Sequence, residues 1–300
     1  MLSFLTSPAF ALVLGVTLAL CFGNPWSAWT KKASKTLLQI CVVFLGFNMD
    51  LARVWEAGSR GFFFALVSIS VTFAIGMSLA RKWGVARGVA VLISAGTAIC
   101  GGSAIAAVAA TTQAKDEEIS VSAGVIFLLN AVALILFPLI GRLSNLSPHD
   151  FGIWAGIAIH DVSSVAGAAA AYGTEALEVA MPVKLSRVLW IAPIAILAGR
   201  ALAPKSGFKG KRPPLLPPFI LLFIVAAALR SFFPQIEPVA VVLGQLAKFG
   251  FTITLFLIGS GMTLSALKSV GWRPLILACV LWFTISTATW VLIKTSPNIL

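Results

Sequence analysis

Long apolar runs broken by short loops dominate this chain. A run of about 20 apolar residues is most stably housed as a helix across the hydrocarbon core of a bilayer. Hydrophobic residues fill 59% of the 300 positions and charged residues 11%, less than half of the roughly 25% charged in a typical soluble domain. Such a chain cannot cover a water-facing surface with polar groups. Disorder, a collagen-like repeat and a disulfide-rich secreted scaffold are excluded. So is an outer-membrane barrel, whose strands would alternate with a period of two. The expected fold is an all-α polytopic membrane protein, one transmembrane domain over residues 1–300. Its ten helical spans lie at about 4–23, 36–52, 61–80, 88–112, 119–141, 151–173, 182–202, 215–233, 240–266 and 274–293. The first run has no Lys or Arg ahead of it, so Met1–Phe22 reads as a retained span rather than a signal peptide. Cys21, Cys41, Cys100 and Cys279 lie in or beside apolar runs without Cys-x-x-Cys spacing, which predicts free thiols.

The net charge of +12 encodes topology rather than nucleic-acid binding. With the amino terminus outside, the inside loops hold Lys31, Lys32, Lys35, Arg81, Lys82, Arg87, Arg142, Arg200, Lys205, Lys209, Lys211, Arg212, Lys268 and Arg273, 14 basic residues. The outside segments hold Arg53, Arg60, Lys115, Arg230 and Lys294, which is five. A bias of this size orients the chain with both termini extracytoplasmic.

Two spans are not plain hydrophobic helices. Span four carries Cys100-Gly101-Gly102-Ser103 and span six carries His160-Asp161-Val162-Ser163-Ser164. Paired glycines in mid-span weaken a helix by about 1 kcal/mol each. An ionisable group at the bilayer centre costs at least about 2.5 kcal/mol. Close packing through small residues explains the outer Ala and Gly positions but neither of these features. Both spans are therefore expected to be interrupted helices facing one another, with half-helix N–H groups suited to an anion. Ala95-Gly96-x-Ala98-Ile99-x-x-x-Ser103 recurs at offset 60 as Ala155-Gly156-x-Ala158-Ile159-x-x-x-Ser163. Lys35, Ile40, Gly46, Met49, Leu51 and Gly58 recur at offset 213 as Lys248, Ile253, Gly259, Met262, Leu264 and Gly271. With ten full crossings, spans two and nine run oppositely, as inverted repeats require, but spans four and six run the same way. The two matches are then not collinear.

Ile99-Cys100-Gly101-Gly102-Ser103-Ala104, His160-Asp161 after Phe151-Gly152-x-Trp154-x-Gly156, Lys184-Leu185-x-Arg187-Val188 and Leu264-Ser265-Ala266-Leu267-Lys268 resemble the YeiH-type family of bacterial inner-membrane proteins, named as sulfate exporters. The resemblance covers about residues 8–293. It is similar in turn to the bile-acid/sodium and glutamate/sodium symporter group. It implies inverted repeats, crossed interrupted helices, a core domain moving against a panel domain, and ten spans where longer members have eleven.

The expectation is a secondary active transporter of a small anion, sulfate-like, in the bacterial inner membrane, working by alternating access. Gly101, Gly102, Ser103, Val162, Ser163 and Ser164 are expected to bind the substrate. Adjacent helical residues point about 100° apart, so His160 and Asp161 divide between cavity and core; they are read as the proton or cation coupling pair, against a purely structural polar network. Lys184 and Arg187, three apart on one face just inside the outer end of span seven, either snorkel to headgroups or attract the anion. Lys248 is a similar case, and Asp50 reads as a helix-end group. No enzyme motif, catalytic residue, metal site or cofactor is expected, and no soluble partner beyond bilayer and anion. A homodimer is open; oligomeric state is not encoded. The alternatives are a sodium-coupled symporter of an organic anion, a channel, and a non-transporting scaffold.

Overall fold

The computed structural model describes residues 8–49, 51–202, 218–260 and 271–295, and among these only helices occur. They are α1 Pro8–Phe22, α2 Ser27–Gly46, α3 Leu51–Trp83, α4 Arg87–Ala98, α5 Gly102–Thr112, α6 Asp116–Leu143, α7 Pro148–Ala158, α8 Val162–Tyr172, α9 Thr174–Val188, α10 Ile191–Leu202, α11 Pro218–Phe232, α12 Glu237–Ser260 and α13 Trp272–Thr295, with one 3-10 turn at Pro234–Ile236. Five helical stretches are long and apolar enough to cross a membrane. Large apolar side chains such as Leu139, Leu197, Val225, Val242 and Phe283 face outward, as a bilayer-facing surface requires. Cys21, Cys41, Cys100 and Cys279 are free thiols. Asp50 and the Leu264–Lys268 motif lie outside the described residues.

The interruptions fall where the small and polar residues predict. α4 stops at Ala98, and Gly101 turns the chain with φ 62° and ψ −126° before α5 begins. α7 stops at Ala158, Ile159 is extended, and Asp161 caps α8. At 1.5 Å per residue each of these 11- or 12-residue helices is about 17 Å long, roughly half the hydrocarbon thickness. Each arm therefore reaches from one end of the molecule to its middle.

The direction after each break differs from the expectation of ten full crossings. A Cβ at Gly96 would lie 3.1 Å from the Ile105 side chain, and one at Gly88 would meet the Glu118 carboxylate. α5 thus folds back along α4 and returns to the Arg87 end, from which α6 starts beside α4. Likewise Tyr172 at the end of α8 stacks on Phe151 near the start of α7 (centroids 3.8 Å apart) and its hydroxyl donates to the Leu146 carbonyl at 2.7 Å. Arg142 donates to the Ala171 carbonyl at 2.8 Å. α4–α5 and α7–α8 are hairpins entering from opposite ends, with their tips meeting centrally: a Cβ on Gly101 would sit 3.1 Å from that of Asp161. α13 runs alongside both. Leu277 and Leu281 pack with Val89 and Ile93, the Trp154 indole donates to the Ser286 carbonyl at 2.9 Å, and Lys294 donates to the Ser144 carbonyl at 3.1 Å.

Two expectations are corrected by this arrangement. The inward arms of spans four and six, α4 and α7, run in opposite directions, not the same one. Lys115 lies at the Arg87 end and Arg142 at the other, the reverse of their expected sides. The loop-charge count could not detect this. A hairpin restores the chain to the side it left, so the two reversals cancel for everything outside α6, and with Lys115 and Arg142 exchanged one side still holds 14 basic residues and the other five. In a cysteine-free background, an impermeant thiol reagent is expected to label Arg87→Cys and Lys115→Cys from one membrane face and Arg142→Cys from the other. Lys115→Cys and Arg142→Cys reacting from the reverse faces would restore the ten-crossing path.

The helices gather in two bundles. α12 packs on α1 and α2, and α11 on α2. A Cβ at Gly15 would overlap the Phe256 carbonyl and one at Gly250 the Cys41 sulfur, so glycine sets how closely α1 and α2 approach α12. The hairpins, α3, α6, α9, α10 and α13 form the second bundle around a core that includes Ile99, Ile105, Ile126, Phe151, Ile159 and Val165.

Candidate functional site

Breaking a helix away from water exposes four N–H groups on one stump and four carbonyls on the other, with partial charges of about +0.5 and −0.5. Two broken spans make four such stumps, and all four converge at the hairpin tips.

The carbonyl stumps are met by cations from α9. Arg187 donates from Nε at 3.1 Å, and again from Nη2, to the Ala98 carbonyl that ends α4. Its Nη1 donates at 3.0 Å to the Ser68 hydroxyl of α3. Lys184 donates from Nζ at 2.5 Å to the Ile159 carbonyl that ends α7. Both side chains are buried, at 0% and 1% exposure. The expectation of cations near an outer end is corrected here. α9 starts at Thr174 rather than about 182, and the extra turns carry Lys184 and Arg187 to mid-molecule.

Asp161 occupies the N–H stump of α8. Its Oδ1 accepts from the Ser164 backbone N–H at 2.6 Å and from the Ser163 hydroxyl at 2.7 Å, and its Oδ2 accepts from the Ser164 hydroxyl at 3.0 Å. Three of the groups expected to face an anion thus face the protein's own carboxylate. Val162, which opens α8, is half-buried.

The α5 stump differs. Its cap position is Gly101, which has no side chain, and the neutral thiol of Cys100 beside it bonds the Ala104 backbone and the Ser103 side chain. Gly101 is buried, Gly102 half-buried and Ser103 exposed. Exposure continues along the same face at Ala106 and Ala110. The residues at offset 60 on α8 behave differently: Ala166 is 0% exposed, and a Cβ at Gly167 would meet Leu255 of α12. One hairpin is packed against the other bundle, while the face of its counterpart is open.

His160 is wholly buried between the tips and α13. Its backbone N–H donates to Asn130 Oδ1 at 3.2 Å, its ring lies 6.0 Å from Trp282, and neither ring nitrogen has a hydrogen-bond partner. Ser94 Oγ, Thr97 Oγ1 and Asn130 Nδ2 are likewise buried without partners. Asn130, on α6, was not singled out from the sequence; one Asn in an apolar span is a signal that hydropathy averages away. A groove of about 350 Å³ lined by Phe137, Trp154, Trp282, Phe283, Ser286 and Trp290 opens beside α13, but it is aromatic and uncharged and offers an anion little. Among the described residues no three of His, Cys, Asp or Glu gather in a group that could hold a metal ion.

The family model described as conserved hypothetical protein 698 matches residues 2–278. A UPF0324 membrane protein of Bdellovibrio bacteriovorus is 45% identical over 288 residues, covering 94% of this chain and 87% of its own. One from Geobacter sulfurreducens is 43% identical over 286 residues, covering 95% and 90%. One from Vibrio parahaemolyticus is 42% identical over 298 residues, covering 97% and 94%. No solved structure matches the chain.

Proposed function

From the premise that this all-α, multi-pass membrane protein belongs to the conserved hypothetical protein 698 family, the YeiH-like family its motifs resemble, we propose that it is a secondary transporter of a small anion. One observation carries the reading. Of the four helix stumps at the tips, three are satisfied by the charged groups of Arg187, Lys184 and Asp161, and the fourth, the α5 N-terminus, has only the neutral Cys100 thiol beside it and is partly open. A helix N-terminus without a charged cap offers N–H donors and positive potential. Two cations and one carboxylate leave one positive charge unmatched around it. The solute is therefore an anion, held by the N–H groups of Gly102 and Ser103 with the Ser103 hydroxyl beside them.

An inverted-repeat reading of the chain supports transport, because such repeats give a protein two related states. With opposed hairpins the two sequence matches are compatible with one such reading. α1, α2, α3, α4–α5 and α6 correspond to α11, α12, α13, α7–α8 and α9–α10, every pair running oppositely. The second copy is permuted: in chain order it begins at its hairpin. Offset 60 then relates hairpin to hairpin, and offset 213 relates α2 and α3 to α12 and α13. The tightly packed α8 and the open α5 face read as a state open at the Arg87 end, which is the cytoplasmic side by the positive-inside rule. Both termini are then outside. Alternating access comes from the hairpin bundle shifting against α1, α2, α11 and α12.

Labelled sulfate and small organic anions, tested in proteoliposomes with and without imposed proton gradients, decide the matter. Saturable sulfate counterflow is expected, reduced at least about tenfold when Ser103→Leu blocks the open stump, the scale of losing a charge-assisted hydrogen bond or two. Equal flux through the Ser103→Leu protein would move the anion site elsewhere. Flux that remains gradient-dependent in both His160→Gln and Asp161→Asn would remove that pair from coupling. No anion flux in any condition would favour a non-transporting scaffold.

A further inference from the structure

The carbonyl ends of broken membrane helices are where sodium or other coupling cations bind in transporters of this general plan. We propose that in this chain Lys184 and Arg187 are tethered counter-cations that occupy both such ends, so that transport proceeds without sodium. The proposal rests on the transporter reading above and specifies how that site is charged.

The geometry separates this role from ordinary capping. Lys184 and Arg187 stand three apart on α9 and serve different hairpins: one meets the carbonyl at Ile159, the other the carbonyl at Ala98. Ala98-Ile99 and Ala158-Ile159 are the equivalent positions of the offset-60 repeat, and the carbonyls met, Ala98 and Ile159, lie one position apart in it, so the two cations fill related sites. Among the described residues, neither makes an ion pair with a carboxylate. The nearby carboxylate, Asp161, spends its oxygens on Ser163 and Ser164 instead. A carbonyl can be capped by a neutral amide N–H or a hydroxyl; at the same tips the neutral Asn130 amide oxygen accepts the His160 N–H. Burying two full charges is far more costly than burying neutral caps. What the charges add is a fixed positive field at the places where a mobile cation would sit. The Nη1 bond to Ser68 holds the guanidinium from α3 as well, so it stays with the hairpin bundle as that bundle moves. A sodium ion meets no vacant carbonyl end, and the cations that balance the anion never dissociate.

The test uses the full chain, first in detergent and then in proteoliposomes, with sulfate as the probe anion. Thermal unfolding of the wild type is compared in sodium chloride and choline chloride of equal ionic strength. The expected melting temperatures agree, whereas a ligand binding only the folded state would raise Tm with concentration. Lys184→Ala vacates the Ile159 end. It is expected to melt lower in choline and to recover at least half of that loss in sodium or methylammonium chloride. Lys184→Met fills the space without charge and is expected to melt low in all three salts. In proteoliposomes, wild-type sulfate counterflow is expected to be equal in sodium and choline, and flux through Lys184→Ala to become dependent on sodium or methylammonium, a change that a merely structural cap would not produce. Sodium raising the wild-type Tm or flux overturns the proposal, as does a Lys184→Ala protein indifferent to cations. If Lys184→Ala fails to accumulate, Lys184→Arg keeps the charge, and its Tm is expected to be insensitive to sodium; sodium dependence there counts against tethering. Absence of sulfate flux in the wild type would count against the sulfate substrate, while the melting comparison still decides the cation question.

Discussion

Asp161→Ala is expected to cost about 2–4 kcal/mol of stability, enough to remove most of the protein from the membrane fraction. The helix cap it supplies is worth about 0.5–2 kcal/mol, and each buried donor it leaves without an acceptor costs about 1–3 kcal/mol. Three donors depend on it: the Ser164 N–H and the Ser163 and Ser164 hydroxyls. Asp161 is only part-buried, so water recovers some of that loss, which sets the upper bound. Asp161→Asn separates cap from charge. Asparagine accepts the same backbone N–H and caps nearly as well, so the protein is expected to fold with a loss of about 1 kcal/mol or less. The tips then carry one more unmatched positive charge. Under the transporter reading, sulfate binds the asparagine variant more tightly and leaves more slowly, so counterflow falls while sulfate-induced stabilisation rises. Melting temperatures with and without sulfate, measured beside flux, check both halves. An Asp161→Ala protein as stable as the wild type would mean that the carboxylate does not hold the α8 stump.

Gly101→Ala is expected to be strongly damaging, because a backbone penalty and a steric one fall on the same residue. Its φ of 62° and ψ of −126° belong to a region that side chains other than glycine's adopt only under strain, at about 1–3 kcal/mol. The new Cβ would also stand 3.1 Å from Asp161 Cβ and 3.4 Å from Ile126, wedging the tips apart where the stumps converge. Gly23 provides the control. It too has positive φ, 73°, but a Cβ there meets nothing within 4 Å. Gly23→Ala is expected to lose only the backbone component, about 1 kcal/mol, with unchanged flux. The difference in Tm between the two variants measures the tip contact together with the extra backbone strain at Gly101, and flux through Gly101→Ala is expected to fall at least about tenfold, the equivalent of about 1.4 kcal/mol. Equal losses at the two sites would show that the tips tolerate separation.

Some of the tips was legible in one dimension and some was not. Gly101, Gly102, His160 and Asp161 stood out because each violates what an apolar span requires of its own residues. Lys184 and Arg187 did not, since a cation within two turns of a proposed helix end has an ordinary explanation in the headgroups. Only the longer α9, reaching back to Thr174 through Pro182, puts them at the centre. Ser163 and Ser164 were read as donors to a solute. Their donation to Asp161 depends on how the carboxylate turns at the start of α8, which no spacing rule specifies.

The sequence by itself determined that this chain lives in a bilayer and where its helices are interrupted. Those properties follow from residue-by-residue transfer energies and helix propensities, and both are local quantities. Tertiary structure alone decided that the interrupted segments turn back instead of crossing. A broken helix has the same composition in either path, and the choice rests on contacts between residues far apart in the chain: Gly101 against Asp161, Arg187 against the end of α4 and Lys184 against the end of α7.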